Sequence, residues 1–515
     1  MSDKRIYNIL FHTHTISGIV ISVLLYVIFF AGSFSFFRDE IVNWERNQTV
    51  KNTEAFDLDF DEALDTLNTT YNLNSRDIEL SKHFIEQRIG VAFSAPKDTI
   101  LNPNTKANRY STLDTKTYAE NSYDGDYTLG EFLYRLHFFA QMQPIGYMLA
   151  GFVAFFFLFA IITGVIVHWS KIVSNFYTFR PYAKLKTLWT DAHTALGVIG
   201  LPFQFVYAVT GAFFMIKAII IAPTVFFLFN GDSAKFYDDL GYSHPEYKYS
   251  HTPLNKDFSL NYYVDKTEAL WPNFDATQIH VFNYGDANMH VMIEGHLKYQ
   301  DKYTAVGEAI YKVDTDTLIH KKDPNQSATY LDGVKNVMFR LHYGDYGGMT
   351  LKLVSFLLGI ISCFVILSGV MIWGVARNKK TISEKKRRFN AWLVTIYLAI
   401  CLSMYPITAL SFIAVKINDH ASKTFIYSFY FIGWLLLTLF YSIKKDNYFT
   451  NKNTLLLGSL LGFLIPITNG ITTNNWIWST YQSNQFQIFF IDVFWIALSS
   501  ITLYVYFKLK SKPKA

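Results

Sequence analysis

The chain has 515 residues, 51% hydrophobic and 18% aromatic against 17% charged, and apolar runs of this length exclude one soluble core and mark a membrane protein. The formal net charge of +5 comes from basic loops between those runs and implies no nucleic-acid partner. Both cysteines, Cys363 and Cys401, sit inside predicted helices without a Cys-x-x-Cys pair, which excludes zinc ribbons, iron–sulfur clusters and covalently attached c-type haem.

Runs free of Lys, Arg, Asp and Glu occupy 15–37, 138–167, 194–216, 353–376, 391–415, 424–443 and 454–491. The last is too long for one span, and its polar middle, 469–487, divides it, so eight helices are expected. Length rather than periodicity carries the helical reading.

Residues 1–37 read as a retained first helix. Lys4 and Arg5 precede an apolar run longer than that of a signal peptide, and no clear small-residue cleavage site follows. Residues 38–130 form a polar outside domain, with a short amphipathic helix at 59–67 and an extended stretch around Asp114-Thr115-Lys116-Thr117. Residues 131–222 hold helices 2 and 3 and a basic loop. A second outside domain, 223–335, shows strands at 278–282, 289–293 and 309–313 by alternation and β-branching. Its Asp314-Thr315-Asp316-Thr317 repeats the Asp-Thr-x-Thr step of the first domain. Helix 4 lies in 336–376, a basic loop in 377–390, and four further helices with a basic tail in 391–515. Those four have no His in their cores, and Asp492 reads there as an exposed helix end.

Lysines and arginines set the orientation. They follow helix 2 (Lys171, Arg180, Lys184, Lys186), helix 4 (Arg377 to Arg388) and helix 6 (Lys444, Lys445, Lys452), and Lys508, Lys510, Lys512 and Lys514 close the chain. With one crossing per helix all fall on one face, which is the cytoplasm, and both termini are cytoplasmic.

The first four helices are a duplicated pair. Arg135-Leu136-His137 and Arg340-Leu341-His342 each precede a glycine, Gly164 or Gly369, by 27 residues counted from the His. His14 and His193 each precede another, Gly32 or Gly211, by 18 residues. Tandem copies of like topology pack about a pseudo-twofold along the membrane normal. That symmetry sets His14 against His193 near the cytoplasmic side and His137 against His342 near the outer side. Each pair offers two imidazoles across an axis, the arrangement for axial ligation of a planar macrocycle such as haem b; zinc asks for more protein ligands per site. Gly18 and Gly197, one turn beyond their histidines, let a bulky ring approach the backbone.

An unbroken helix from His137 to Gly164 would be about 40 Å long, more than the bilayer core. The chain is therefore expected to break near Pro144, and near Gly347-Gly348 in the second copy. His168 and His12 lack a repeated partner and stand as reserve ligands. His280, His290 and His296 read as surface histidines.

This pattern resembles the PepSY-associated transmembrane helix family, iron-regulated membrane proteins that include bacterial siderophore reductases. The His14…Ala31-Gly32 and His193…Thr210-Gly211 helices, the Leu136-His137 and Leu341-His342 steps and the outside domains carry the resemblance, over about 1–376. It implies an all-α polytopic fold in the bacterial inner membrane, with two small α+β PepSY-like periplasmic domains. It also implies two haems b held by His14, His193, His137 and His342. The activity it implies is reduction of a ferric siderophore or other ferric chelate to release Fe(II). The electron donor would be a cytoplasmic reductant or quinol, since no Gly-x-Gly-x-x-Gly nucleotide fingerprint occurs. No catalytic side chain is assigned. A siderophore or iron permease, and a non-enzymatic PepSY protein binding a periplasmic partner, are the competing readings; the four extra helices depart from the family's minimal pattern.

Overall fold

The computed structural model describes residues 4–51, 55–100, 109–177, 180, 183–240, 245–299, 301–419 and 421–509. Lys510, Lys512 and Lys514 of the basic tail lie outside the described residues. Among those described, eight helices are long and apolar enough to cross a membrane, as expected.

In chain order, α1 (Lys4–Ser35) and α2 (Arg38–Arg46) lead to α3 (Phe60–Tyr71), β1 (Ile78–Ser81), β2 (Arg88–Phe93), β3 (Arg109–Asp114) and β4 (Glu120–Asn121). Next come α4 (Leu129–Leu136), α5 (Ile145–His168), α6 (Ile172–Phe176) and α7 (Leu185–Leu228). The second half repeats the order with α8 (Ser233–Asp239), α9 (Leu260–Glu268), β5 (Phe274–Phe282), β6 (His290–Leu297), β7 (Val306–Lys312), β8 (Thr317–Lys322), α10 (Tyr330–Tyr343) and α11 (Gly348–Ala376). The chain ends with α12 (Glu384–Ile417), α13 (Lys423–Lys444), α14 (Asn447–Thr473), α15 (Ile477–Gln482) and α16 (Phe486–Lys508).

Four of the spans close a ring: α1 packs on α5, α5 on α7, α7 on α11, and α11 back on α1. Within a bilayer such contacts rest on close packing rather than on exclusion of water. The last four spans form a second bundle, which meets the first along an aromatic seam. Phe34 of α1 lies 5.6 Å from Phe356 of α11, 6.2 Å from Phe494 and 6.0 Å from Trp495 of α16, ring centre to ring centre.

The two outside segments, expected as two domains, share one antiparallel sheet in the order β4-β3-β2-β1-β5-β6-β7-β8. Each half contributes one meander, and β1 pairs with β5 at the centre, Leu80 opposite Ile279. Alternation puts Ile78, Leu80, Ile89, Val91, Ile279, Val281, Val291 and Ile293 into one apolar core with α3 and α9. Asp59 caps α3 by accepting from the Asp61 and Glu62 amides, and Ser259 caps α9 by accepting from the Tyr262 amide. The two helix starts are laced together: Asn261 Oδ1 accepts the Phe60 amide at 2.8 Å, and Ser259 Oγ donates to Asp61 at 2.6 Å.

A network of ion pairs runs from the sheet through α2 to the ring, with Arg38 within 3.5 Å of Glu86 as the link. Arg38 bonds Glu131 at 2.8 Å, Arg88 bonds Glu86 and Asp126 at 2.7 Å each, and Lys352 reaches Glu40 at 2.7 Å. Burial alone would push the Glu131 carboxyl up; Arg38 and Arg135 outweigh it and hold it at about 2.

Two sequence expectations are corrected here. Asp492 is not an exposed helix end: it is fully buried, accepting from Trp44 Nε1 and Asn469 Nδ2 at 2.8 Å each, because α2 and α14 cover that end of α16. His280, His290 and His296 are not surface residues. All three are buried on the sheet face opposite the apolar core, His290 stacked on Tyr247 at 3.6 Å and His296 on Tyr299 at 4.0 Å.

Candidate functional site

The breaks expected by length occur where expected. α4 stops at Leu136, the chain turns through Phe139 (φ 55°), and α5 starts after Pro144. In the second half α10 ends at Gly344 (φ 64°) and α11 begins at Gly348 (φ 56°), positions where a side chain would be strained. His137 and His342 therefore sit at the ends of short helices on the sheet side of the ring. His14 and His193 lie on the spans themselves, toward the opposite end.

The pairs meet as the duplication implies. The imidazole centres of His14 and His193 are 6.1 Å apart, and those of His137 and His342 are 6.3 Å apart. A metal–imidazole bond is about 2.0–2.1 Å and a ring centre lies about 1.1 Å from its nitrogen, so two imidazoles on one ion stand about 6.2 Å apart. Among the described residues no group of three or more His, Cys, Asp or Glu could hold a bare metal ion. Two-ligand axial coordination is what these pairs can provide.

The hydrogen bonds fix which nitrogen is free. His14 Nδ1 lies 2.8 Å from the Ala160 carbonyl and His193 Nδ1 2.9 Å from the Val365 carbonyl. A carbonyl only accepts, so each Nδ1 carries the proton and each Nε2 keeps its lone pair. Ala160 and Val365 hold equivalent places, each four residues before the glycine that faces the ring. His342 Nδ1 lies 2.8 Å from Thr210 Oγ1, whose own proton goes to the Val206 carbonyl, so here too the His donates. His137 Nδ1 donates to the Tyr134 carbonyl. Such outer partners orient a ligating imidazole and raise its basicity. None of them could be read from sequence, since most are main-chain carbonyls with no residue signature.

The glycines have distinct roles. A Cβ on Gly164 would stand 3.0 Å from His14 Cε1, and one on Gly369 3.3 Å from His193 Cε1, so both let an imidazole lie against the neighbouring helix. Gly32 faces His137 Cβ, and nothing lies within 4 Å of a Cβ built on Gly18 or Gly197. A cavity of about 360 Å³ opens beside the sheet-side pair, lined by His137, His342, Phe29, Phe157, Tyr207 and Lys217 among others. That is within the roughly 300–1,000 Å³ of ligand pockets.

The reserve histidines stay outside the pairs. His168 lies half-buried at the end of α5, near His14 and His193. His12 is exposed and lines an open groove of about 1300 Å³ with Lys4, Arg5, Phe155 and Phe159. Both arginines of the repeated Arg-Leu-His step brace their surroundings: Arg135 bonds Glu131 at 2.6 Å, and Arg340 pairs with Asp345 and lies 3.7 Å over the Tyr299 ring.

Comparison with curated proteins finds no match. The family model for the PepSY-associated TM region matches residues 11–375, which span all four histidines and the whole sheet. By that match, over the greater part of its length, the chain belongs to the PepSY-associated transmembrane family.

Proposed function

We propose that this chain is a di-haem b membrane protein of the bacterial inner membrane that reduces a ferric siderophore, or a similar ferric chelate, on the periplasmic side. One observation carries the reading: two imidazole pairs at 6.1 and 6.3 Å, with every Nδ1 committed to an acceptor and every Nε2 left as a lone pair. His14 and His193 would hold one haem, His137 and His342 the other. Bound haem supplies reversible one-electron chemistry whose potential the protein sets through ligands, hydrogen bonds and burial.

The chain's own residues do the rest. Ala160, Val365, Thr210 and Tyr134 keep the imidazoles neutral and oriented. Apolar side chains such as Phe29, Phe157 and Phe203 exclude water from the sheet-side cavity. The sheet stands over that end, where a chelate would approach. Each Fe(III) taken up there gains one electron, and the hard-donor chelator holds the resulting Fe(II) less firmly. The electron comes from a cytoplasmic reductant or from a quinol; the groove beside His12 offers an apolar approach for a lipid-soluble donor. The Lys/Arg bias of the loops supports a cytoplasmic position for that groove.

A reduced-minus-oxidised spectrum of the purified protein tests this. Two b-type haems, released by acidic organic solvent because no cysteine is placed to hold them, are expected. A folded protein from haem-replete cells with no haem bands would overturn the reading and favour a permease or a partner-binding protein.

A further inference from the structure

Lys217 interrupts an otherwise uncharged stretch of α7, 194–228. Lys217 is exposed, at the sheet-side end of the span, where a lysine's ammonium reaches the membrane surface or a partner there. It stands on the helix face that serves the sheet-side site. Thr210, Phe214 and Lys217 follow one another at i, i+4 and i+7, and so share a face. Thr210 bonds His342, and the Phe214 ring lies 5.1 Å from the His342 ring. Lys217 lines the same cavity as His137 and His342, and among the described residues it is the only lysine, arginine, aspartate or glutamate in that lining.

The duplication sharpens the point. Arg38 follows Gly32 by six residues, as Lys217 follows Gly211. The two are the same position in the two halves. In the first half the cation is neutralised by the protein itself, through Glu131, Glu86 and Asp39. In the second, Lys217 has no hydrogen bond or ion pair among the described residues, and another cation, Lys335, lies within electrostatic reach of it. The equivalent of a satisfied arginine has been left for something that is not protein.

We propose that Lys217 pairs with a carboxylate arm of the group held by His137 and His342, a haem propionate, and so fixes which edge of the macrocycle faces the cavity mouth and sets its potential. This rests on the haem reading above. A carboxylate entering an apolar cavity needs a counter-charge, and a lysine's long stem lets its ammonium reach one from the rim. Lys217 is a positioning residue; it touches no reacting atom of the substrate.

The test is redox titration of purified protein, with haem content measured alongside. Removing a cation beside the haem favours the ferric form. Lys217→Gln should therefore move one of the two midpoint potentials to a more negative value and lower the occupancy of that haem, leaving the other unmoved. Lys217→Arg should restore both. Unmoved potentials and full haem content in Lys217→Gln overturn the proposal. So does a variant whose only defect is a raised KM for anionic chelates, which would make Lys217 a substrate contact. Wild-type protein without haem overturns this proposal and the functional reading together, so the two failures are told apart by the wild-type spectrum.

Discussion

A Cβ on Gly164 would stand 3.0 Å from Cε1 of His14, nearer than all but a small minority of real Cβ contacts. The contact is what lets His14 rest on α5 while its Nδ1 reaches the Ala160 carbonyl one turn away. The second half repeats it with Gly369 and His193. Gly164→Leu should therefore displace the His14 ring and strip the haem of that pair, sparing the one at His137 and His342. Haem-to-protein stoichiometry reads this directly; a variant that keeps both haems would show that the close approach is incidental.

The paired histidines allow a directional test of the haem reading. His342→Ala should remove or alter the sheet-side haem and stop ferric-chelate reduction, with the other haem still reducible. His193→Ala should block reduction by the physiological donor, while the sheet-side haem, once reduced artificially, is still oxidised by added ferric chelate. Oriented vesicles, with reductant on one side and chelate on the other, separate the two. If either variant keeps both haems and full turnover, that His is not a ligand, and His168 or His12 takes its place.

The two pairs were legible in sequence because a duplication writes each twice: His14 with His193, and His137 with His342, at like distances from like glycines. The broken second helix was legible from length alone, with Pro144 and Gly348 marking the breaks. Asp492 was not, because what buries it is Trp44, which lies 448 positions away in the chain. Nor were His280, His290 and His296, whose covers are Tyr247 and Tyr299 outside the strands. That both outside segments complete one sheet also escaped sequence, since pairing of β1 with β5 is a long-range choice that neither strand's own pattern announces.

The buried acceptor at Asp492 predicts what joins the second bundle to the first. Asp492→Leu leaves Trp44 Nε1 without its acceptor and Asn469 Nδ2 with only the Asn475 carbonyl, and bonds to a charged acceptor contribute roughly 1.5–3 kcal/mol each. Thermal unfolding in detergent should show a clear loss for Asp492→Leu and a smaller one for Asp492→Asn, which keeps one acceptor. Equal stability of all three proteins would mean that the aromatic seam alone holds the bundles together.

Orientation is open to a direct check. Reporter fusions at Asn230, after α7, and at Asn390, after α11, should report opposite sides of the membrane. Signals from the same side would undo the topology and the assignment of the His14–His193 pair to the cytoplasmic half.

The sheet has a pH dependence of its own. Glu294 of β6 lies directly opposite Glu308 of β7. Burial, with the charge of Glu308 beside it, raises the Glu294 carboxyl to about 7, against an attraction from Lys335 and Lys322. An unfolded glutamate titrates near about 4.3. Between those values the folded sheet holds a proton that the unfolded chain has released, so stability is full below the lower value and falls as pH rises through the upper one. The Glu131 carboxyl, held at about 2, works in the opposite sense, but its window lies below pH 4.5 or so; above it Glu294 acts together with Glu45 of α2, whose carboxyl burial also raises to about 7. Denaturation of the wild-type protein should thus become easier between pH 5 and 8. Glu294→Gln cannot ionise and should make that slope shallower, leaving the part due to Glu45 and the acid-side loss due to Glu131 in place. An unchanged slope in the variant would mean that Glu294 is ionised in the folded sheet throughout, with Lys335 or Lys322 rather than a proton compensating its charge.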